Sequence, residues 1–277
     1  MGRKIFKRDE IISRLRENIA KKIPIVGAGS SCGLIAKCAE KGGADLIIVY
    51  STGLSRLKGL PTTILGDSNN ITISMAEEIL NVVQDTPIIA GIQACDPRYW
   101  DLDYLIDKFM AVGYSGIINF PTMGFHEPGT LWRELYEAVN LGMGREVELI
   151  RTANQKDIFT MAYAFRTDEA VEMAKAGLDC LIVHCGGTAG GMTGFKAVPF
   201  EEAGKLVEEM IDAVRKVNPD IICLAHGGPF DVPENLSYLY ENTRAQGFVG
   251  ASSVERIPVE KAVVEAVKGF KNYTIKG

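Results

Sequence analysis

Two of the three histidines in this chain, His184 and His226, stand in matching surroundings: Leu-Ile-Val-His-Cys-Gly-Gly at 181–187 and Cys-Leu-Ala-His-Gly-Gly at 223–228. Each ends a short apolar run and is followed closely by paired glycines. Imidazole titrates near neutrality, so a histidine in such a place can move protons or, when charged, bind an oxyanion. The echo between the two segments makes His184 and His226 the candidate catalytic pair on either side of one pocket. His126, in Gly124-Phe-His-Glu-Pro-Gly, reads as peripheral. Asp96, in Gln93-Ala-Cys-Asp-Pro, is the third catalytic candidate. It can activate water or ligate Mg²⁺, and it can equally cap the turn before Pro97.

A second group has the chemistry of an anion site. Gly227 and Gly228 follow the seventh apolar run, and Ser252 and Ser253 follow the eighth and open a helical pattern. Glycines allow close approach of an anion to backbone N–H groups, and serine hydroxyls add donors. Ser30, Ser31, Gln93, Asn119 and Tyr163 end other apolar runs and are candidate substrate contacts. The turn Gly27-Ala-Gly-Ser-Ser-Cys-Gly33 resembles a dinucleotide fingerprint, but its third glycine falls one position late and Tyr50-Ser-Thr lacks the acid that holds a ribose. It reads instead as a tight turn lining a pocket. Cys95 and Cys185 also end apolar runs, where a zinc site or a Cys–His nucleophile is conceivable without supporting ligand spacing.

These residues need a scaffold that presents run ends side by side. Short β-rich apolar runs occur at 23–28, 46–50, 88–92, 116–120, 159–164, 181–184, 221–225 and 248–251. Amphipathic helical patterns fall between them, at about 31–41, 71–85, 101–112, 130–141, 167–176, 200–217, 232–244 and 258–268. Continuous apolar strands alternating with helices form a parallel sheet covered by helices. The 255 residues from position 23 onward divide into eight units of about 32 residues, the size of a βα unit in an α/β (β/α)₈ TIM barrel. The chain is therefore expected to be one domain over 1–277, with the barrel at 23–270 and an N-terminal helical extension at 1–22. In that extension Asp9 reads as an N-cap, and Ile11, Ile12, Leu15 and Ile19 form one apolar stripe. Barrel active sites lie where strands end, which is where the candidate residues fall. Two long loops, 51–70 with Arg56 and Lys58 and the glycine-rich 185–198, are candidate covers for the pocket.

Composition sets outer bounds. Hydrophobic residues are 47% and charged residues 23%, ordinary for a globular chain, and the net charge is −5. That balance argues against nucleic-acid or membrane-surface partners, which need basic fields, and leaves room for a small anionic substrate. The six cysteines form no C-x-x-C pair, so free thiols and a cytoplasmic location are expected. A homo-oligomer is expected as well.

Taken together, Gly-Ala-Gly-Ser, Tyr-Ser-Thr-Gly, Gly-Ile-Gln-Ala-Cys-Asp-Pro, Asn-Phe-Pro-Thr, His-Cys-Gly-Gly-Thr, His-Gly-Gly-Pro and Gly-Ala-Ser-Ser-Val-Glu-Arg resemble the phosphoenolpyruvate hydrolase-like TIM-barrel family. The likeness covers about residues 8–270, and the same domain is similar to the C-terminal half of plant tobamovirus-resistance proteins. The resemblance implies an enzyme that hydrolyses a small phosphorylated or phosphonate pyruvate derivative at the C-terminal face of the barrel. The alternatives are a carbon–carbon lyase or aldolase on a small oxo-acid, and a non-catalytic ligand-sensing module. Related barrels hold Mg²⁺ with several acids at successive strand ends, so Mg²⁺ is the implied cofactor. Here the strand-end acids are Asp96 and Glu255, beside Gln93 and Asn119.

Overall fold

The computed structural model describes residues 4–277. Its eight strands are β1 (Ile25–Gly29), β2 (Leu46–Val49), β3 (Ile88–Gly91), β4 (Gly116–Ile118), β5 (Phe159–Ala164), β6 (Cys180–His184), β7 (Ile222–His226) and β8 (Gly247–Gly250). They are all parallel and pair in chain order, and β8 returns to β1 to close a barrel. The expectation of a (β/α)₈ barrel preceded by a helix is met.

The helices connect successive strands along the outside. α1 (Arg8–Ala20) precedes β1, α2 (Gly33–Lys41) follows it, and α3 (Ser51–Leu57) and α4 (Ser68–Leu80) follow β2. α5 (Leu102–Ala111) follows β3, and β4 leads to α6 (Leu131–Ala138) and α7 (Met143–Gln155). α8 (Thr167–Lys175), α9 (Phe200–Arg215) and α10 (Leu236–Asn242) follow β5, β6 and β7, and α11 (Ser252–Glu255) and α12 (Ile257–Lys271) complete the chain. Two helices lie where the sequence patterns predict none. α3 occupies the start of the expected 51–70 loop. α7 carries Arg145, Glu146, Glu148 and Arg151 among its apolar positions, which interrupts the amphipathic signal, and Glu146 is nevertheless buried.

Strand periodicity decides which side chains reach the barrel interior. Successive strand residues face opposite sides of a sheet. Ile48 and Tyr50, Met161 and Tyr163, Ile182, and Leu224 pack in the interior cluster. Val183, Cys185, Cys223 and Ala225 pack instead between the sheet and the helices. His184 and His226 fall on the inward parity of β6 and β7, and they are register partners in the ladder. The same parity turns Cys185 away from the interior.

The N-terminal end of the barrel is closed by α1. Phe6, Ile11 and Leu15 join the interior cluster with Ile25, Phe159, Cys180 and Ile222. The Phe6 N–H donates to Ser115 Oγ at 3.1 Å, and Arg8 donates to Asp179 Oδ1 through Nη2 at 2.7 Å. Lys7 takes the N-cap position expected of Asp9, without a side-chain hydrogen bond, and Asp9 lies in the first turn, where its charge faces the positive helix end. With this end filled, an opening to the interior is left at the C-terminal ends of the strands.

Candidate active site

A pocket of about 420 Å³ opens at that end, lined by residues from the loops after β2, β4, β6, β7 and β8. His184, His226 and Ser252 line it, as do Thr52, Arg56 and Phe195. Tyr163 lies against both histidines, its ring centroid 5.3 Å from that of His184 and 5.0 Å from that of His226. The two imidazole rings are 4.6 Å apart, and Phe165 stacks on His184 at 4.1 Å.

The backbone gives the two histidines opposite tautomers. The Gly186 N–H donates to His184 Nδ1 at 3.2 Å, so that nitrogen is bare and the ring proton sits on Nε2. His226 Nδ1 lies 2.7 Å from the Val249 carbonyl oxygen, which can only accept, so Nδ1 carries the proton and Nε2 keeps its lone pair. His184 thus offers a hydrogen-bond donor, and His226 offers an acceptor. Burial lowers the His226 pKa to about 4. Burial, and then the neighbouring His226, hold His184 well below its usual value. Both rings are neutral at pH 7, with their roles fixed by the strands beneath them.

The paired glycines serve this arrangement. Gly227 and Gly228 have φ of 73° and 57°, and a side chain at either would overlap the carbonyls of Gly186 or Cys185. The Gly228 N–H donates to Gly186 O at 3.0 Å, which interlocks the turns after β6 and β7. Above them the 185–198 segment is tied down by Arg256 Nη2 donating to Gly190 O at 3.1 Å and by the Met192 N–H donating to Glu260 Oε2 at 2.9 Å. Gly187, Thr188 and Phe195 from this segment cover one side of the pocket.

α3 brings Thr52 and Arg56 to the same pocket, spaced i,i+4 on one helix face. Arg56 Nε donates to Glu255 Oε1 at 3.1 Å, and Ser31 Oγ donates to the same oxygen at 3.1 Å. The Arg56 and Glu255 side chains are 2% and 0% exposed. Burial opposes the Arg56 charge, but Glu255, with Tyr50 and Tyr163, offsets it, and the pKa is raised. Arg56 Nη2, although 3.1 Å from Glu255 Oε1, is too poorly aligned to hydrogen-bond, and both it and Thr52 Oγ1 are buried without a hydrogen-bond partner.

Ser30, Ser31, Ser253, Asp96, Gln93 and Asn119 are not among the residues that line the pocket. Ser30 is buried with its hydroxyl against the Ala28 carbonyl at 3.4 Å, and Ser31 serves Glu255. Ser253 Oγ is buried without a hydrogen-bond partner. Asp96 receives Arg98 Nη2 at 2.6 Å and Asn69 Nδ2 at 3.1 Å, and its other oxygen receives Arg98 Nε at 2.9 Å. The Gln93 N–H donates to Asn69 Oδ1 at 2.9 Å. Asn119 bridges β4 and β5, accepting from the Tyr163 N–H at 2.7 Å and donating to Tyr163 O at 3.0 Å. His126 lines the rim of the pocket.

Glu146 is the buried acid that sequence patterns miss. It accepts from Asn119 Nδ2 at 2.6 Å, Thr122 Oγ1 at 2.7 Å and the Met123 N–H at 2.6 Å. Burial outweighs these bonds and raises its pKa to about 7. Arg133 binds the same loop from behind, donating to Met123 O at 3.2 Å and to Glu169 Oε1 at 3.1 Å. This polar cluster holds the 119–126 segment that carries Phe120, Thr122 and Phe125 to the pocket.

The donor set does not fit a Mg²⁺ ion. Among the described residues no three His, Cys, Asp or Glu side chains converge to hold a metal. Asp96 is already satisfied by Arg98 and Asn69, and a hard cation needs several free oxygens. Cys95 and Cys185 are poor thiolates, since burial raises each pKa to about 12.

A closed barrel of eight parallel strands with helices between them defines the class: a TIM barrel. The chain belongs to the phosphoenolpyruvate hydrolase-like family, whose model matches residues 10–273. It is 40% identical to the ToMV susceptible protein tm-1(GCR26) of Solanum lycopersicum over 98% of this chain and 36% of that protein. The chain thus spans about a third of the length of that relative. Among solved structures, an oxaloacetate acetylhydrolase in complex with oxalate has a TM-score of 0.62 at 14% identity, covering 98% of this chain and 90% of its own. A phosphonopyruvate hydrolase complex with oxalate and Mg²⁺ has a TM-score of 0.56 at 18% identity, covering 94% and 84%. At these identities the likeness shows the shared fold. No described helix is long and apolar enough to cross a membrane.

Proposed function

We propose that the chain is a hydrolase that releases pyruvate from a small anion carrying an electrophilic group on a pyruvate or enolpyruvate unit. The opposite tautomers of His184 and His226, buried side by side at the pocket floor, carry this reading. His226 Nε2 takes a proton from water, and the hydroxide attacks the electrophile, either phosphorus or an acyl carbon. The bond to the pyruvate unit breaks, its electron pair forms the enolate, and His184 Nε2–H donates to the enolate oxygen. The imidazolium of His226 then returns its proton to the enolate carbon. Water and substrate are thereby converted to pyruvate and an acid. Bases of this kind contribute roughly 10²–10⁴-fold.

The chemistry uses no metal, because the strand-end acids Asp96 and Glu255 are held by protein partners. Asp96 is assigned to support of the loop after β3, and Ser252 to contact with the substrate from the loop after β8. The family name and the phosphonopyruvate hydrolase neighbour support the pyruvate leaving group, and phosphoenolpyruvate, phosphonopyruvate and acylpyruvates all release it.

The test is pyruvate formation by the purified chain, with and without Mg²⁺, from phosphoenolpyruvate, phosphonopyruvate and benzoylpyruvate. Pyruvate release that is lost in His226→Gln and His184→Gln supports the proposal. Pyruvate release that survives both substitutions contradicts the assigned roles. Binding without any turnover marks the pocket as a ligand sensor.

A further inference from the structure

The pocket's charge and its walls narrow the substrate beyond a pyruvate-like anion. Arg56 is the one formally charged side chain among the lining residues, and its charge is already matched by Glu255. With His184 and His226 neutral, the lining has almost no net positive charge to offer. A phosphonate or phosphate ester of pyruvate would bring two or three negative charges into a buried site with no free cation, which is strongly unfavourable. A single carboxylate brings less charge to compensate, and two of the lining residues, Arg56 and Thr52, have a buried donor without a hydrogen bond, Arg56 Nη2 lying 3.1 Å from Glu255 Oε1.

The mouth of the same pocket is apolar. Ile64, Phe125 and Phe195 line it from three separate loops, yet they are 45%, 49% and 52% exposed. Large apolar side chains gathered around one opening are ordinarily covered by a ligand. Phe120 extends this wall inward, 4.7 Å from the Tyr50 ring and 5.9 Å from Phe125. Thr52, Arg56, both imidazoles and these apolar side chains all line the one pocket.

We infer that the substrate is a monoanionic oxo-acid with an apolar aryl or branched alkyl group. Its carboxylate sits on Arg56 and Thr52, and its apolar end sits against Ile64, Phe125 and Phe195. This rests on the hydrolase reading for the cleavage step but not for the binding preference. Of the pyruvate derivatives considered, it selects acylpyruvates: water adds to the acyl carbon, the carbon–carbon bond to the pyruvate unit breaks, and benzoylpyruvate yields benzoate and pyruvate.

The experiment is calorimetric titration of the purified chain with phenylpyruvate, pyruvate and phosphonopyruvate, followed by turnover of benzoylpyruvate. Phenylpyruvate is expected to bind at least about tenfold more tightly than either other probe. Phe195→Ala is expected to remove most of that preference, and Thr52→Val to weaken phenylpyruvate and pyruvate alike. Phenylpyruvate binding no tighter than phosphonopyruvate overturns the inference, as does a preference untouched by Phe195→Ala. Absence of binding by all three probes overturns it too. A preserved preference without benzoylpyruvate cleavage leaves the substrate class standing and removes the hydrolase reading. Cleavage of phosphonopyruvate alone does the reverse.

Discussion

The two sides of the barrel mouth use polar residues in opposite ways. On the β6–β7 side, each histidine engages the backbone through Nδ1, and both side chains line the pocket. On the β3–β4 side, Asp96, Asn119 and Glu146 spend their polar atoms on one another's neighbours: Arg98, Asn69, Tyr163 and the Met123 N–H. Both sides carry polar side chains at strand ends, and by position alone they look equivalent. A polar group at a barrel mouth is available for chemistry only when the fold leaves one of its atoms unspent. The β3–β4 side instead builds the support that aims Phe120 and Phe125.

That contrast is broken most severely at the histidines. His226→Gln is expected to lower pyruvate release about 10²–10⁴-fold with the far-ultraviolet circular dichroism unchanged. A drop of less than tenfold would remove His226 as the base. The next effect lies on α3. Arg56→Met leaves Glu255 buried without its partner and is expected to cost about 3–5 kcal/mol in urea unfolding. The double variant Arg56→Met with Glu255→Met is expected to recover most of that loss. If the double variant is no more stable than the single one, the cost is not that of an unpaired buried charge.

Glu146 and the histidines pull the pH dependence of stability in opposite directions. The unfolded chain ionises Glu146 above about pH 4.5, whereas the folded chain keeps it protonated until about 7, so its stabilising contribution is lost as pH rises through that window. The shift is worth about 3 kcal/mol at 1.36 kcal/mol per pH unit. His226 does the opposite, because its folded pKa of about 4 lies below the ordinary 6.5. Its contribution is full above pH 6.5 and is lost as the pH falls toward 4. Relative to the unaltered chain, Glu146→Gln is therefore expected to gain up to about 3 kcal/mol between pH 4.5 and 8. A difference between the two chains that stays flat with pH would show that the carboxyl is ionised in the fold.

The smallest effect is expected at Asp96. Asp96→Asn touches no pocket atom, so pyruvate release should stay within about threefold while stability falls by about 1–3 kcal/mol through the weakened Arg98 and Asn69 bonds. A loss of activity comparable to that of His226→Gln would return Asp96 to the catalytic set.

The barrel was legible because eight apolar runs alternate with amphipathic patterns, a signal that local sequence carries. His184 and His226 were legible because their segments echo each other at equivalent strand ends. Asp96 and Ser31 show the limit of that reasoning: strand-end position does not reveal whether Arg98, Asn69 or Glu255 already satisfies a side chain. Thr52 and Arg56 had a signal in their i,i+4 spacing, but it is visible only if residues 51–57 are taken as a helix. Glu146 had none. A carboxyl on the inner face of a helix reads as a surface residue until its partners on another loop are known. The tautomers of the histidines depend on Gly186 and Val249, one of them on a different strand, so they emerge only from the closed barrel.

The assignment of a donor and a base rests on those tautomers, and nitrogen-15 NMR of the imidazole rings at pH 7 reads them directly. The chain has three histidines, so single His→Gln variants assign every signal. The expected result is His184 protonated at Nε2 and His226 protonated at Nδ1, both neutral, with neither becoming charged as the pH is lowered to 5. Finding the same tautomer on both rings, or a charged imidazolium on either at pH 7, would contradict the pairing of one donor with one base.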